Sequence, residues 1–248
     1  MTSAEDWKNK KWTARARQLI HWIAKADPEK PVMILIRHSH REIMRHHSDM
    51  LSVGLTPLGK AMSVEMGRRV PVQRKAHIFF SIVPRCYETA EGISQGFIQA
   101  GGEVIDMDSL PTLARPEYTD DKVWKNLNPN GNNVTEFVNR WADGEFEGRI
   151  ESFDRFQARL LDDTLRRFVS LKENQLHIHV THDLSLMSAK RALSGRALTR
   201  DDREPFLGGV AIAYEDSKLR VFMGGERAAE SITNRIRKVC LIQSELVA

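Results

Sequence analysis

Cysteine is almost missing from this chain: there are two in 248 residues, Cys86 and Cys240, far apart in sequence. So sparse a set suits neither a disulfide framework nor a zinc site, and it fits a reducing cytoplasm. No apolar run approaches the length of a membrane span, and the N-terminus lacks the apolar core of a signal peptide. A soluble cytoplasmic protein with no membrane partner is therefore expected. Neither sign of charge dominates, since 37 basic residues face 33 acidic ones, interspersed along the chain, for a net charge of +4. With no aromatic-basic module of a recognised type, that mild excess suits an anionic small molecule better than nucleic acid. Internal repeats are lacking too.

What is present is an ordinary globular composition, 41% hydrophobic and 28% charged, in a chain long enough to bury a substantial core. A single domain over 1–248 is expected, with an N-terminal helical extension at 1–30 and a cap insertion at about 109–148. Residues 4–26 read as one helix with a basic, solvated face, ended by Pro28 and Pro31. A charge-free apolar run then predicts a buried strand at 32–36. The stretch 42–52 reads as a loop or short helix. Thr56 and Pro57 are an N-cap and first position, with Leu58, Met62, Met66 and Val70 on one helical face.

Further strands are expected at 77–82, 103–107 and 176–181, and a hairpin at 206–214 and 219–222. Pro84 opens a helix that Gly101 and Gly102 end. From 109 to 148 the pattern loosens into an irregular segment containing an Asn-rich run at 128–133, as a lid or substrate loop would. An amphipathic helix follows, with Phe153, Phe156, Leu160, Leu161, Leu165, Phe168 and Val169 in one stripe. Another helix covers 184–193, and a last one begins near 227 with Ile232, Ile236 and Val239.

Three strand-to-helix junctions end in unusual polar residues: Arg37, His38 and Arg41 after the first strand, Arg85 after the second, His182 and Asp183 after the fourth. If the strands are parallel neighbours, all three open on one edge of the sheet, where ligands of open α/β folds bind. Guanidinium forks match phosphate oxygens, and a neutral imidazole beside them can act as nucleophile or base. Taken singly, each of these residues reads as an ordinary core or surface side chain. Their occurrence together, in order, points to a site for a dianion and its transition state.

The motifs Leu35-Ile-Arg-His-Ser-His-Arg41, Leu55-Thr-Pro-Leu-Gly59, Ser81 to Ala90 and Val180-Thr-His-Asp183 occur in the order found in the histidine phosphatase superfamily, which this chain resembles. Arg-His-x-x-Arg with a later His-Asp is similar to the acid-phosphatase branch. The chain length and the small 81–90 motif are similar to the phosphoglycerate-mutase branch. One departure stands out: the family's glycine after the nucleophilic histidine is Ser39 here.

The resemblance implies an α/β fold, a three-layer α/β/α sandwich with a mostly parallel central sheet and a cap insertion. It implies that His38 accepts the phosphoryl group as a phosphohistidine, and that Arg37, Arg41, Arg85 and His182 clamp the phosphate. Asp183 would protonate the leaving alkoxide, with Glu117 the alternative proton donor. The partner would be a phosphorylated small molecule or phosphoprotein. No cofactor is implied. Clustered histidines such as His177, His179 and His182 raise a metal site, but three pocket arginines would repel a divalent cation, and no metal ligand is assigned. The function expected is a metal-independent phosphatase. The alternatives are phosphoryl transfer within a substrate, as in the mutases, or a phospho-ligand binding module without turnover.

Overall fold

The computed structural model describes residues 3–169, 174–215 and 218–224. Its central strand, β1 (Val32–Arg37), is buried at every position. Alternate side chains supply two different cores: Met33 and Leu35 belong to one apolar cluster, and Val32, Ile34 and Ile36 to the other. A strand covered on both faces needs no polar face, which is why the run reads as continuously apolar.

Among the described residues the sheet has six strands in the order β3-β2-β4-β1-β5-β6. β2 (Lys75–Phe80), β3 (Val104–Ser109) and β4 (Gln175–Thr181) run parallel with β1. β5 (Gly209–Glu215) and β6 (Lys218–Phe222) close the other side as an antiparallel pair. Helices flank both faces, so the fold is the mixed α/β sandwich expected. β2 starts two residues earlier than the apolar pattern implies, and β3 runs two residues further.

On one face lie α1 (Ser3–Asn9), α2 (Ala14–Lys25), α3 (Pro57–Gly67) and α4 (Pro84–Gln99). The helix expected over 4–26 is two helices joined by a 3-10 turn at Lys11–Thr13. The chain breaks because Lys10 is extended, and the Thr13 hydroxyl donates to the carbonyls of Trp7 and Lys10, each at 2.7 Å. The break lets Trp7 reach the same core as Leu19 and Ile23. Thr56 caps α3 by accepting from the Gly59 amide at 3.0 Å, as its sequence predicts.

The opposite face carries α6 (Phe153–Val169), α7 (Asp183–Ser194) and the 109–148 segment. That segment contains 3-10 turns at Pro111–Leu113 and Asp121–Asn126, and α5 (Val134–Ala142). Leu113, Val123, Phe137 and Phe146 join Met33, Leu35 and Phe156 in one continuous cluster, so the cap is anchored to the sheet.

β5 begins at Gly209, where the sequence pattern placed it at 206. Leu207 has φ 59, and the turn it makes exchanges backbone hydrogen bonds with Arg37. Phe206 thereby leaves the sheet for its edge. The last helix, expected from about 227 with Ile232, Ile236 and Val239, lies outside the described residues, as does Cys240. No helix among the described residues is long and apolar enough to cross a membrane.

Candidate active site

The register of the parallel strands builds the site. Arg37 pairs with Thr181 and Phe80 with Val180, so the residues that follow, His38, His182 and Ser81, emerge side by side. The His38 amide donates to the Thr181 carbonyl at 2.9 Å, and the His38 and His182 rings meet edge to face at 5.6 Å. Arg37, His38, Arg41, Arg85, His182 and Asp183 all line one pocket, although 146 positions separate the first from the last. Arg85 reaches it from the first turn of α4, and Asp183 from the first residue of α7.

His38 is almost wholly buried, and its Nδ1 lies 2.8 Å from the Ser39 carbonyl oxygen. A carbonyl only accepts, so Nδ1 carries the proton and Nε2 keeps its lone pair. Burial first, then the charges of Arg85, Arg37 and His182, hold His38 well below the ordinary histidine value. The neutral form is the nucleophilic one.

Ser39 needs no glycine-like backbone, since it is not among the residues with positive φ. Its amide donates to Thr89 Oγ1 at 2.9 Å and its hydroxyl to the Gly59 carbonyl at 2.8 Å. The departure from the family's glycine is thus accommodated by a hydrogen bond to α3. Gly59 itself is fixed by contact: a Cβ there would lie 1.9 Å from the His40 carbonyl oxygen.

Three buried arginines converge on the pocket. Arg37 Nη1 donates to the Glu204 carbonyl at 3.0 Å, and Arg85 Nη1 to the Met50 carbonyl at 2.6 Å. Nε of both is buried with no partner among the described residues. Arg41 donates to the Glu42 carbonyl at 2.7 Å, and burial, with Arg85 and Arg37 nearby, pushes it down to about 10. Like charges packed this closely are relieved by an anion.

His182 is engaged at both nitrogens. Arg85 Nη2 stands 2.9 Å from Nδ1, and Ser81 Oγ stands 2.8 Å from Nε2. A guanidinium only donates, so Nδ1 accepts and Nε2 carries the proton to Ser81. Burial, then Arg85, Arg37 and Arg41, keep this ring neutral, well below the usual histidine range. Cys86 packs beside it, and burial pushes its thiol up to about 12, which leaves it inert as a nucleophile.

Asp183 Oδ2 receives Arg37 Nη2 at 3.0 Å and Arg203 Nη2 at 2.7 Å, while Oδ1 is buried without a partner among the described residues. The cap loop rests on this carboxylate: Gly131 has φ +68, and a Cβ on it would come within 2.8 Å of Oδ2. Glu117 is placed elsewhere. Its side chain is 70% exposed, faces Arg155 at 3.8 Å, and does not line the pocket. His177 and His179 do not join His182. They lie on the sheet's interior face beside Phe79, and burial pushes each down to about 3.

Sequence reading missed Arg203, Asn130, Arg115, Ser81 and Thr89. Ser81 and Thr89 fall within the 81–90 motif and were legible as its polar positions. Arg203 and Arg115 carry no local signal, since each looks like any surface arginine until the cap folds over the sheet.

The family model of the histidine phosphatase superfamily (branch 1) matches residues 33–206. No curated protein sequence matches the chain. Among solved structures, YhfR of Bacillus stearothermophilus superposes with TM-score 0.54 at 20% identity, covering 80% of this chain and 98% of its own. A phosphoglycerate mutase of Bacillus anthracis gives 0.52 at 13% identity, covering 85% and 99%. A phosphoserine phosphatase of Entamoeba histolytica, solved in complex with phosphoserine, gives 0.50 at 16%, covering 79% and 97%. At these identities the likeness is one of fold.

Proposed function

The chain belongs to the histidine phosphatase superfamily, and from that membership and the pocket we propose that it is a metal-independent phosphatase that hydrolyses phosphate monoesters through a phosphohistidine on His38. The observation that carries this reading is the Nδ1 hydrogen bond to the Ser39 carbonyl, which leaves the Nε2 lone pair of a buried neutral imidazole among three arginines.

In the first step Nε2 attacks phosphorus, the P–O ester bond breaks, and the leaving alkoxide takes a proton from Asp183 Oδ1, the oxygen not engaged by arginine. In the second, water attacks phosphorus, the P–N bond breaks, and Asp183 recovers the proton. Arg37, Arg41 and Arg85 carry the phosphoryl charge, so the cationic role a metal would fill is held by the chain itself. His182 joins the clamp once Arg85 Nη2 turns to the dianion and frees Nδ1, where the anion favours the imidazolium.

The 1–248 chain acts in this reading as one domain, capped by 109–148. Mutase-like transfer would use the same first step but return the group to the substrate; a module without turnover would have no use for Asp183. Glu117 would serve as proton donor only if the cap moved it inward. The reading is tested by phosphate release from p-nitrophenyl phosphate in the presence of chelator, with acid-labile phosphate trapped on the protein. His38→Ala is expected to abolish both. Release that stops with chelator, or persists in His38→Ala, would overturn it.

A further inference from the structure

The pocket over His38 is small, with a cavity volume of about 70 Å³, while a groove of about 520 Å³ opens beside it. Arg37, Arg41 and Asn130 line both, so the two spaces share a wall. The first holds the nucleophile and its arginines, and the second, the wider space beside it, has room for the rest of a substrate.

The groove combines flat rings with positive charge. Phe206 contacts His38 at 5.8 Å, His40 at 5.2 Å and Trp12 at 5.8 Å, and Trp12 stacks on His40 at 5.9 Å between ring centres. A continuous aromatic track therefore leads from the nucleophile into the groove. Arg200 and Arg203 stand on the groove lining with Arg41. Arg200 is exposed, and no hydrogen bond or ion pair holds its side chain among the described residues. Among the described residues Glu204 is the single acid on this lining, and its Oε1 is engaged by Lys190 Nζ at 2.6 Å.

We propose that this groove is the subsite for the substrate's leaving group, and that it takes a nucleotide-like one: a planar ring carrying a second anionic group. The rings offer stacking surface, and Arg200 offers charge-assisted hydrogen bonds to the second anion. The inference rests on the phosphatase reading above. In that reading Asp183 protonates the leaving oxygen, and Arg203 binds Asp183 on one side while lining the groove on the other, so the leaving group exits toward the groove. Trp12 lies outside residues 33–206 matched by the family model, which makes one wall of the subsite a feature of this chain's N-terminal segment.

The test measures kcat/KM for adenosine 3′,5′-bisphosphate, adenosine 5′-monophosphate and fructose 1,6-bisphosphate. The nucleoside bisphosphate is expected to exceed each of the others by about ten-fold or more, and Arg200→Glu and Trp12→Ala are each expected to cut that advantage about ten-fold. Should Trp12→Ala fail to fold, Arg200→Glu, on an exposed side chain, carries the test alone. Three substrates turned over alike, a preference for fructose 1,6-bisphosphate or for adenosine 5′-monophosphate, or an advantage untouched by Arg200→Glu would overturn the subsite. No phosphate release from any of them, nor from p-nitrophenyl phosphate, would overturn the phosphatase reading instead.

Discussion

Arg203 donates to Asp183 Oδ2 from Nη2 at 2.7 Å and from Nε at 3.1 Å, and the same Nη2 reaches the Asn130 carbonyl at 2.9 Å. One guanidinium thus ties the cap loop to the carboxylate of the proposed proton donor. Arg203→Ala is expected to lower kcat/KM for an alkyl phosphate about 100-fold, and for p-nitrophenyl phosphate far less, because misplacing a proton donor matters most where the leaving group is poor. Equal losses on both substrates would show that Arg203 serves binding and not the donor.

The proton donor can be identified by the same contrast. Asp183→Asn is expected to reduce turnover of an alkyl phosphate by about 100-fold to 10 000-fold and to spare an activated aryl phosphate. Glu117→Gln should leave the ratio alone, since its side chain is turned to Arg155 outside the pocket. The reverse pattern would move the assignment to Glu117.

The pH profile follows from His38. Its folded value is depressed, so the nucleophilic free base persists below the pH where an ordinary histidine would protonate. Wild-type kcat/KM is therefore expected to have no acid limb from His38 between pH 7 and about 5.5, given an ordinary value near 6.5. Arg85 is the largest charge acting on His38, and Arg85→Gln should shift the acid limb to higher pH on the same substrate, along with a large loss of rate. An unshifted limb would mean that the charge of Arg85 does not set His38.

Stability should depend on pH through His177 and His179. Burial holds both near 3 in the folded state, against an ordinary value near 6.5 when unfolded. As pH falls from about 6.5 toward 3, the unfolded state takes up protons that the folded state refuses, costing about 1.36 kcal/mol per pH unit for each histidine. Thermal unfolding is expected to move to lower temperature steeply below pH 6.5, and His177→Leu should flatten that slope. An identical slope in the variant would assign the acid lability to other groups.

Gly59→Ala tests how the nucleophile loop is seated. The added methyl would collide with the His40 backbone, so the loop bearing Ser39 and His40 must shift away from α3. A destabilisation of about 1–3 kcal/mol is expected, together with a loss of activity larger than that destabilisation explains. Retained activity with lowered stability would show that the loop holds its place through Thr89 alone.

Much of the architecture was legible because local chemistry dictates it. The apolar run of β1, the Thr56 cap and the Pro84 start of α4 are decisions made within a few residues, and all stand in the structure. Where the sequence reading slipped, the cause was tertiary. The helix expected over 4–26 breaks at Lys10 so that Trp7 can enter the core, and β5 starts late because residues 205–208 turn around Arg37.

The sequence by itself determined the chemical cast of the site: a histidine between arginines at a strand end, an arginine in a first helical turn, and a His-Asp pair at a third junction. Strand register and sheet order then decided that these residues meet, since no local rule aligns Arg37 with Thr181 across 144 positions. Only the folded chain decided which atoms are free. The Ser39 carbonyl selects the His38 tautomer, Arg85 and Ser81 occupy His182, and Arg203 closes the cap onto Asp183. Hydrogen-bond roles depend on which partner lies within 3 Å, and only the packing of distant segments settles that.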